Sequence, residues 1–200
     1  MEPERSTTIQ YYENNAERLA RIYQSVKFEF LQKELLRFFD GKHNLLEIGS
    51  GSGRDAAFFM NHGFDVTGLD GSEEMVNKSI EIFPVLNGRI ICAELPANLP
   101  SFDHDFDAII SIATLMHFNE EDLSQILKFC HDNLHSDGKI FISVPAPGEL
   151  VKDGPFVNNF NEEKWLSVFQ ENQFITINKT VTQDGMGRQR IWYNFYLKKV

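Results

Sequence analysis

Cysteine is nearly absent from this chain: Cys92 and Cys130 are the only two in 200 residues, and both lie in apolar segments. Two thiols make no disulfide framework, so the chain is expected to work in a reducing cytoplasm. No apolar run approaches the roughly twenty residues that span a bilayer. Met1 to Gln10 is polar and mixed in charge, without the apolar centre of a signal peptide. No membrane association is expected. Basic residues are scarce as well, 19 Lys and Arg against 29 Asp and Glu, for a formal net charge of −10. Tracking a nucleic-acid backbone needs clustered Lys and Arg. The one dense group here is Arg188, Arg190, Lys198 and Lys199, so no stable nucleic-acid partner is expected. Internal repeats, low-complexity stretches and Gly/Ser linkers are missing too, and residues 1–200 read as one domain.

What is present suits a packed core. The hydrophobic fraction is 42% and the aromatic fraction 12%, both globular values, and most of the eighteen Phe must be core. Ile9, Tyr12, Ala16, Leu19 and Tyr23 recur at helical spacing and predict a helix over Ile9–Ser25; Phe28, Leu31, Leu35 and Phe38 predict a second over Phe28–Phe39. Short apolar runs then alternate with amphipathic helices. Strands are expected at Leu45–Ile48, Val66–Leu69, Arg89–Cys92, Phe106–Ile112 and Lys139–Val144, the last after a turn at Asp137-Gly138. Helices are expected over Arg54–His62, from a Ser72 cap to Phe83, over Asp122–Leu134, and from an Asn161 cap to Gln170. Two late strands, Phe174–Val181 and Arg190–Lys198, flank the polar segment Thr182–Arg188. Such alternation implies an α/β fold: a Rossmann-like three-layer αβα sandwich on a mostly parallel seven-stranded sheet, closed by a C-terminal antiparallel hairpin. Ligands of such sheets bind beyond the carboxyl ends of the strands, near the switch in strand order.

The first strand ends in Glu47-Ile48-Gly49-Ser50-Gly51-Ser52-Gly53-Arg54. Alternate glycines let the loop turn with positive φ and expose bare backbone to a ligand. The following helix presents unpaired N–H groups. Asp70 closes the second strand, where a carboxylate can accept both hydrogen bonds of a ribose diol. A nicotinamide dinucleotide would use the same features, but its fingerprint has glycine where Arg54 stands and an apolar residue where Glu47 stands.

Glu47-x-Gly49-x-Gly51-x-Gly53 and Gly68-Leu69-Asp70 resemble class I S-adenosylmethionine-dependent methyltransferases. Phe106-Asp107-Ala108-Ile109-Ile110 and Leu134-His135-Ser136-Asp137-Gly138-Lys139-Ile140 continue that likeness in order, so that it covers about residues 10 to 200. Tyr11-Tyr12…Asn15-Ala16, Gly53-Arg54-Asp55-Ala56 and Leu115-Met116-His117 are similar to small bacterial members of the tellurite-resistance and related type. Asp153-Gly154-Pro155 departs from that pattern, which has an arginine there, and Ser50 stands where many relatives have cysteine. The resemblance implies S-adenosyl-L-methionine as cofactor. It implies that Gly49, Ser50 and Gly51 line its methionine and sugar, and that Glu47 positions its amino group. Asp70 would hold the ribose hydroxyls, with Gly71 and Ser72 beside the adenine. Ala93, Glu94 and Leu95 become candidates for the adenine amino group, and Ile112 and Ala113 for the sulfonium side. Residues 1–40 would be a helical lid, 44–144 the cofactor-binding core, 145–160 a short acceptor-side loop, and 161–200 a closing helix and hairpin.

A methyl group on sulfonium is already activated, so a base is needed only where the acceptor carries a proton. His117 follows the fourth strand and reads either as that base, as a helix cap, or as a ring packed on Phe118. Tyr11 and Tyr12 read either as catalytic groups closing over the site or as anchors of the first helix. Arg188, Arg190 and Trp192 read either as recognition of an anionic acceptor or as surface strand residues. His131 and His135 stand four apart on an expected helix without a third ligand, and Asp103, Asp105 and Asp107 lack the rest of a calcium loop, so no metal is assigned. The expected activity is methyl transfer to a small-molecule acceptor by a monomer or weak homodimer. A protein or RNA acceptor, and a dinucleotide-binding or non-enzymatic Rossmann module, are the alternatives.

Overall fold

The computed structural model describes residues 3–26, 28–148 and 154–200. Asp153, expected in the acceptor-side loop, lies outside the described residues. Two helices lead, α1 (Pro3–Ser25) and α2 (Glu29–Phe38), followed by β1 (Asn44–Ile48), α3 (Arg54–Asn61), β2 (Asp65–Asp70), α4 (Glu73–Ile82) and β3 (Ile90–Cys92). Next come β4 (Phe106–Ile112), α5 (Glu120–Asp132), β5 (Leu134–Pro145), α6 (Glu162–Glu171), β6 (Phe174–Gln183) and β7 (Ile191–Lys199).

All seven strands form one sheet in the order β3-β2-β1-β4-β5-β7-β6. Neighbours from β3 to β5 run parallel, and β7 lies antiparallel between β5 and β6. The switch in strand order falls between β1 and β4, so the crevice opens beyond their carboxyl ends. Leu46 and Ile48 pack into one layer with Trp165 and Phe195, whereas Leu45 packs into the other with Phe39, Phe59 and Phe141. That is the alternation of a strand covered on both faces. Three helices start where a side chain satisfies a free N–H: Ser72 Oγ accepts from Met75 N at 3.1 Å, Asn119 Oδ1 from Asp122 N at 2.9 Å, and Asn161 Oδ1 from Lys164 N at 2.9 Å.

Several boundaries differ from expectation. The first helix begins at Pro3, ahead of Ile9, because proline is tolerated in a first helical turn and an apolar face is not needed to propagate it. Asn119 rather than Asp122 marks the start of α5, which ends at Asp132 and leaves His135 in β5. His131 and His135 therefore do not form a helical pair. Asp137-Gly138 is no free turn: the register jumps from Phe106↔Leu134 to Ala108↔Lys139, and the residues between bulge out of β5. A Cβ at Gly138 would collide with the Leu134 side chain. Among the described residues, no helix is long and apolar enough to cross a membrane.

Candidate functional site

The loop after β1 is shaped by backbone. Gly49, Gly51 and Gly53 have φ of +79°, +51° and +73°, the left-handed region that glycine enters without strain. The N–H groups of Gly49 and Ser50 both donate to the Leu69 carbonyl, at 2.7 and 2.9 Å. A Cβ on Gly49 would overlap the Thr114 side chain, and one on Gly53 would lie 2.9 Å from Ser79 Cβ. Gly51 differs, for its nearest neighbour would be Met75 Cε at 3.8 Å. Packing therefore demands glycine at 49 and 53, while 51 leaves open space.

Register sets Glu47 beside Gly68 and Ile48 beside Leu69, which brings Asp70 level with the loop. Asp70 accepts from Gly51 N at 2.7 Å through Oδ2 and from Ser72 N at 3.0 Å through Oδ1. Burial raises its pKa and these two bonds oppose the rise. Each oxygen keeps a lone pair for a further donor. Glu47 is only 4% exposed, and its Oε2 has no hydrogen-bond partner. Burial first, then the Asp55 charge, push its carboxyl well above the usual range. The Arg54 charge opposes them. An orphaned buried carboxylate oxygen lining a cavity is a ready acceptor for a cationic donor.

The first helices are fastened over this loop. Arg54 bonds Asp55 at 2.6 Å, donates to the Tyr23 carbonyl at 3.1 Å, and lies 4.0 Å over the Phe28 ring. Gln24 Nε2 donates to Ser52 Oγ at 3.0 Å, and Gln32 Nε2 to Asp55 Oδ1 at 3.0 Å. Glu13 on α1 accepts from Glu73 N, at the start of α4, at 2.6 Å. Farther along, the Tyr12 hydroxyl meets His117 Nε2 at 2.9 Å, and His117 Nδ1 meets the Phe156 carbonyl at 2.5 Å. A carbonyl can only accept, so Nδ1 carries the proton and Nε2 accepts from Tyr12. Burial pushes the His117 pKa down to about 4, against the Phe156 bond, and the ring is neutral at physiological pH. Tyr11 stands edge-on to Tyr12, and its hydroxyl accepts from Arg18 at 3.3 Å.

Between the loop and the first helices lies a cavity of about 560 Å³, within the range of small-molecule sites. Glu47, Gly49, Ser50, Gly51, Asp70, Gly71 and Ser72 line it, as do Ala93, Leu95, Ile112, Ala113, Tyr11, Tyr12 and His117. Glu94 does not: only its neighbours on either side reach the wall, and its Oε1 is buried without a partner. Strand β3 ends at Cys92, and the chain then turns, with Asn98 N donating to the Glu94 carbonyl at 2.7 Å. Ala113 has φ +58°, a strained conformation for a residue with a Cβ, directly after β4.

The opposite wall comes from the β6–β7 connection, residues 184–190. Asp184 is buried and accepts from Arg188 Nη2 at 2.6 Å, Met186 N at 2.6 Å and Trp192 Nε1 at 3.2 Å. Burial alone would raise its carboxyl; these bonds outweigh it and hold the pKa below the usual value. Arg188 and Trp192, read from sequence as anion-binding or surface residues, are instead committed to Asp184. Sequence reasoning missed Asp184, Thr114 and Tyr23. Arg188 four residues beyond Asp184 was the one available signal.

With this geometry in place, likeness to known proteins becomes specific. Residues 45–138 match the family described as a methyltransferase domain. That segment runs from β1 to the β5 bulge and contains the glycine loop, Asp70 and His117. The chain is also 22% identical over 138 residues to the probable S-adenosyl-L-methionine-dependent methyltransferase TehB of Haemophilus influenzae, a match covering 68% of this chain and 48% of that protein. The chain thus spans about half the length of the curated relatives it matches. In fold it is similar to the Burkholderia thailandensis 1,6-didemethyltoxoflavin-N1-methyltransferase, solved with 1,6-didemethyltoxoflavin and S-adenosylhomocysteine bound. The TM-score is 0.81 at 18% identity, over 98% of this chain and 88% of that one. The magnesium protoporphyrin IX methyltransferase of Synechocystis PCC 6803, solved with S-adenosylhomocysteine, gives 0.77 at 16% identity over 98% and 100%. The fold of these two solved structures is therefore shared over nearly the whole chain, including the hairpin outside the matched segment.

Proposed function

We propose that this chain is an S-adenosylmethionine-dependent methyltransferase acting on a small-molecule acceptor in the cytoplasm. The observation that carries the reading is the pair of carboxylates flanking bare glycine backbone: Glu47, with a buried oxygen lacking a partner, and Asp70, held by two N–H groups. The methyltransferase-domain match over residues 45–138 and the likeness to TehB support it. The residues fit the group. Glu47 Oε2 suits its ammonium, Asp70 its ribose hydroxyls, and the space at Gly51 its close approach to backbone. Gly71, Ser72, Ala93 and Leu95 surround the adenine end, and Ile112 and Ala113 the sulfonium end. Residues 1–40 act as the lid and 44–144 as the cofactor-binding core. A dinucleotide is disfavoured because Arg54 fills the position its third glycine needs.

When bound, the cofactor supplies a methyl group on a positively charged sulfur that departs as a neutral thioether. The chain aligns the acceptor opposite that methyl and excludes water beneath α1. For an acceptor that carries a proton, Tyr12 is the contact group: its oxygen takes that proton while its own passes to His117 Nε2. His117 acts through Tyr12, in the tautomer fixed by Phe156, and Tyr11 anchors the lid. A small acceptor fits a cavity that must hold both reactants, and the toxoflavin precursor of the Burkholderia enzyme is of that class.

Calorimetric titration with S-adenosylmethionine, S-adenosylhomocysteine and NAD tests the proposal. The first two bind and NAD does not; binding of NAD alone overturns it. Asp70→Ala weakens S-adenosylhomocysteine at least about tenfold, because donors lose a buried acceptor. Unchanged affinity removes Asp70 from the site.

A further inference from the structure

We propose that the methyl acceptor is a mainly apolar small molecule bearing one anionic group, and that Arg190 holds that group; this rests on the methyltransferase reading above. Four arginines reach the cavity wall: Arg18, Arg54, Arg188 and Arg190. Arg54 is paired with Asp55, and Arg188 with Asp184. Arg18 donates to Tyr11 and Asn15. Among the described residues, the Arg190 guanidinium alone of the four has neither a hydrogen bond nor an ion pair. Its backbone is nevertheless fixed: its N–H donates to the Arg188 carbonyl at 2.8 Å, and its carbonyl accepts from Asp184 N at 3.0 Å.

A half-buried cation without a partner loses hydration and gains nothing in return. Its planar fork matches a carboxylate or phosphate in two-pronged contact, and such bonds are about twice as strong as neutral ones. Position assigns Arg190 to the acceptor rather than the cofactor. Trp192 pairs with Pro145 at the end of β5, so Arg190 lies beyond β5, on the far side of β4 from the glycine loop. Met116, Phe118, Val157, Met186 and Trp192 line the same cavity and give the acceptor an apolar body to match.

The two ends of the cavity also differ in sign. Glu47 and Asp70 stand at the β1–β2 end, where Asp55 is paired with Arg54. At the hairpin end Asp184 is cancelled by Arg188, and Arg190 is left over. A chain of net charge −10 does not attract anions by its overall field. Selection for one must be local, and Arg190 is where it resides.

The test uses the full chain saturated with S-adenosylhomocysteine and three acids: indole-3-acetate, 4-hydroxybenzoate and phenyl phosphate. Each is titrated beside its neutral counterpart, indole-3-acetamide, 4-hydroxybenzamide or phenol. At least one acid is expected to bind about tenfold to a hundredfold more tightly than its counterpart, and comparing carboxylates with the phosphate identifies the preferred anion. Arg190→Gln abolishes that preference while S-adenosylhomocysteine affinity and melting temperature stay unchanged. Arg190→Lys, which keeps the charge but not the fork, retains part of it. Equal binding of acids and neutral counterparts overturns the proposal. So does a lack of binding by all three acids, a preference that survives Arg190→Gln, or a loss of S-adenosylhomocysteine affinity in that variant. Failure of S-adenosylhomocysteine to bind the unaltered chain is a separate result, and it overturns the methyltransferase reading itself.

Discussion

The two walls of the cavity are made in different ways. The β1–β2 wall is backbone: three left-handed glycines, N–H groups aimed at Asp70, and a carbonyl of Leu69 that takes two donors. The hairpin wall is side chain: one buried carboxylate gathers an arginine, an indole and a backbone amide from residues 186 to 192. Backbone walls are tolerant of everything except a Cβ in the wrong place. Side-chain walls depend on every partner keeping its charge, so their failures follow pH and substitution of charged groups rather than sterics.

The largest contrast lies within the glycine loop. Gly49→Ala drives a Cβ into Thr114 at φ +79°, which should destabilise the fold by about 2–4 kcal/mol and lower cofactor affinity at least about a hundredfold. Gly51→Ala suffers only backbone strain, about 1–2 kcal/mol, since its nearest contact is 3.8 Å away. Thr114→Ala should recover part of the loss at Gly49 and none at Gly51, as a double-mutant cycle reads directly. Equal effects at the two glycines would mean that steric fit to Thr114 plays no part.

His117 yields the next effect, and its sign is fixed by its neutral form. Unfolded, it takes a proton below its ordinary value of 6.5; folded, only below about 4. Stability therefore falls as pH drops from 6.5 toward 4, by on the order of 3 kcal/mol. The raised carboxyl of Glu47 acts in the opposite direction, so the quantity to compare is the native chain minus His117→Gln in pH-dependent thermal melts. A flat difference across that window contradicts a buried neutral His117. Turnover should likewise show no break near 6.5.

The β1–β2 wall was readable in the sequence because its requirements restrict residue type. Positive φ and close packing admit almost nothing but glycine, and the carboxylate at the end of β2 has few alternatives. The mostly parallel sheet and its closing antiparallel hairpin followed from alternation of elements, and β1, β4 and the late hairpin stand close to where periodicity put them. The other wall was not readable. Nothing local distinguishes Asp184 from any polar residue in a connection, because its meaning comes from Arg188 and Trp192 folding back onto it. The Tyr12–His117 contact joins residues 105 apart in sequence, and no local pattern links the two. Glu94 lies off the cavity wall that Ala93 and Leu95 reach, because the turn after β3 has no period from which a side could be read.

At Asp184 the effect is confined to stability. Asp184→Asn should lower stability at neutral pH by about 1–3 kcal/mol and leave S-adenosylhomocysteine affinity unchanged. A carboxyl held below 3.8 contributes stability above that pH, and the contribution disappears as pH falls through its folded value. The two proteins should therefore converge in strongly acidic melts. Reduced cofactor affinity in Asp184→Asn would show that the two walls are not independent.

Arg54 has a consequence for how such a site changes over generations. In sequence it is the residue that blocks a dinucleotide fingerprint; in space it fastens Tyr23 and Phe28, and so both leading helices, to the loop. Replacing it by glycine restores a motif and unroofs the crevice at once. A lineage drifting toward another cofactor would have to re-anchor its first forty residues before that exchange became neutral. Under the proposed reading, the choice of cofactor and the roof over it are tied together, and one guanidinium makes the tie.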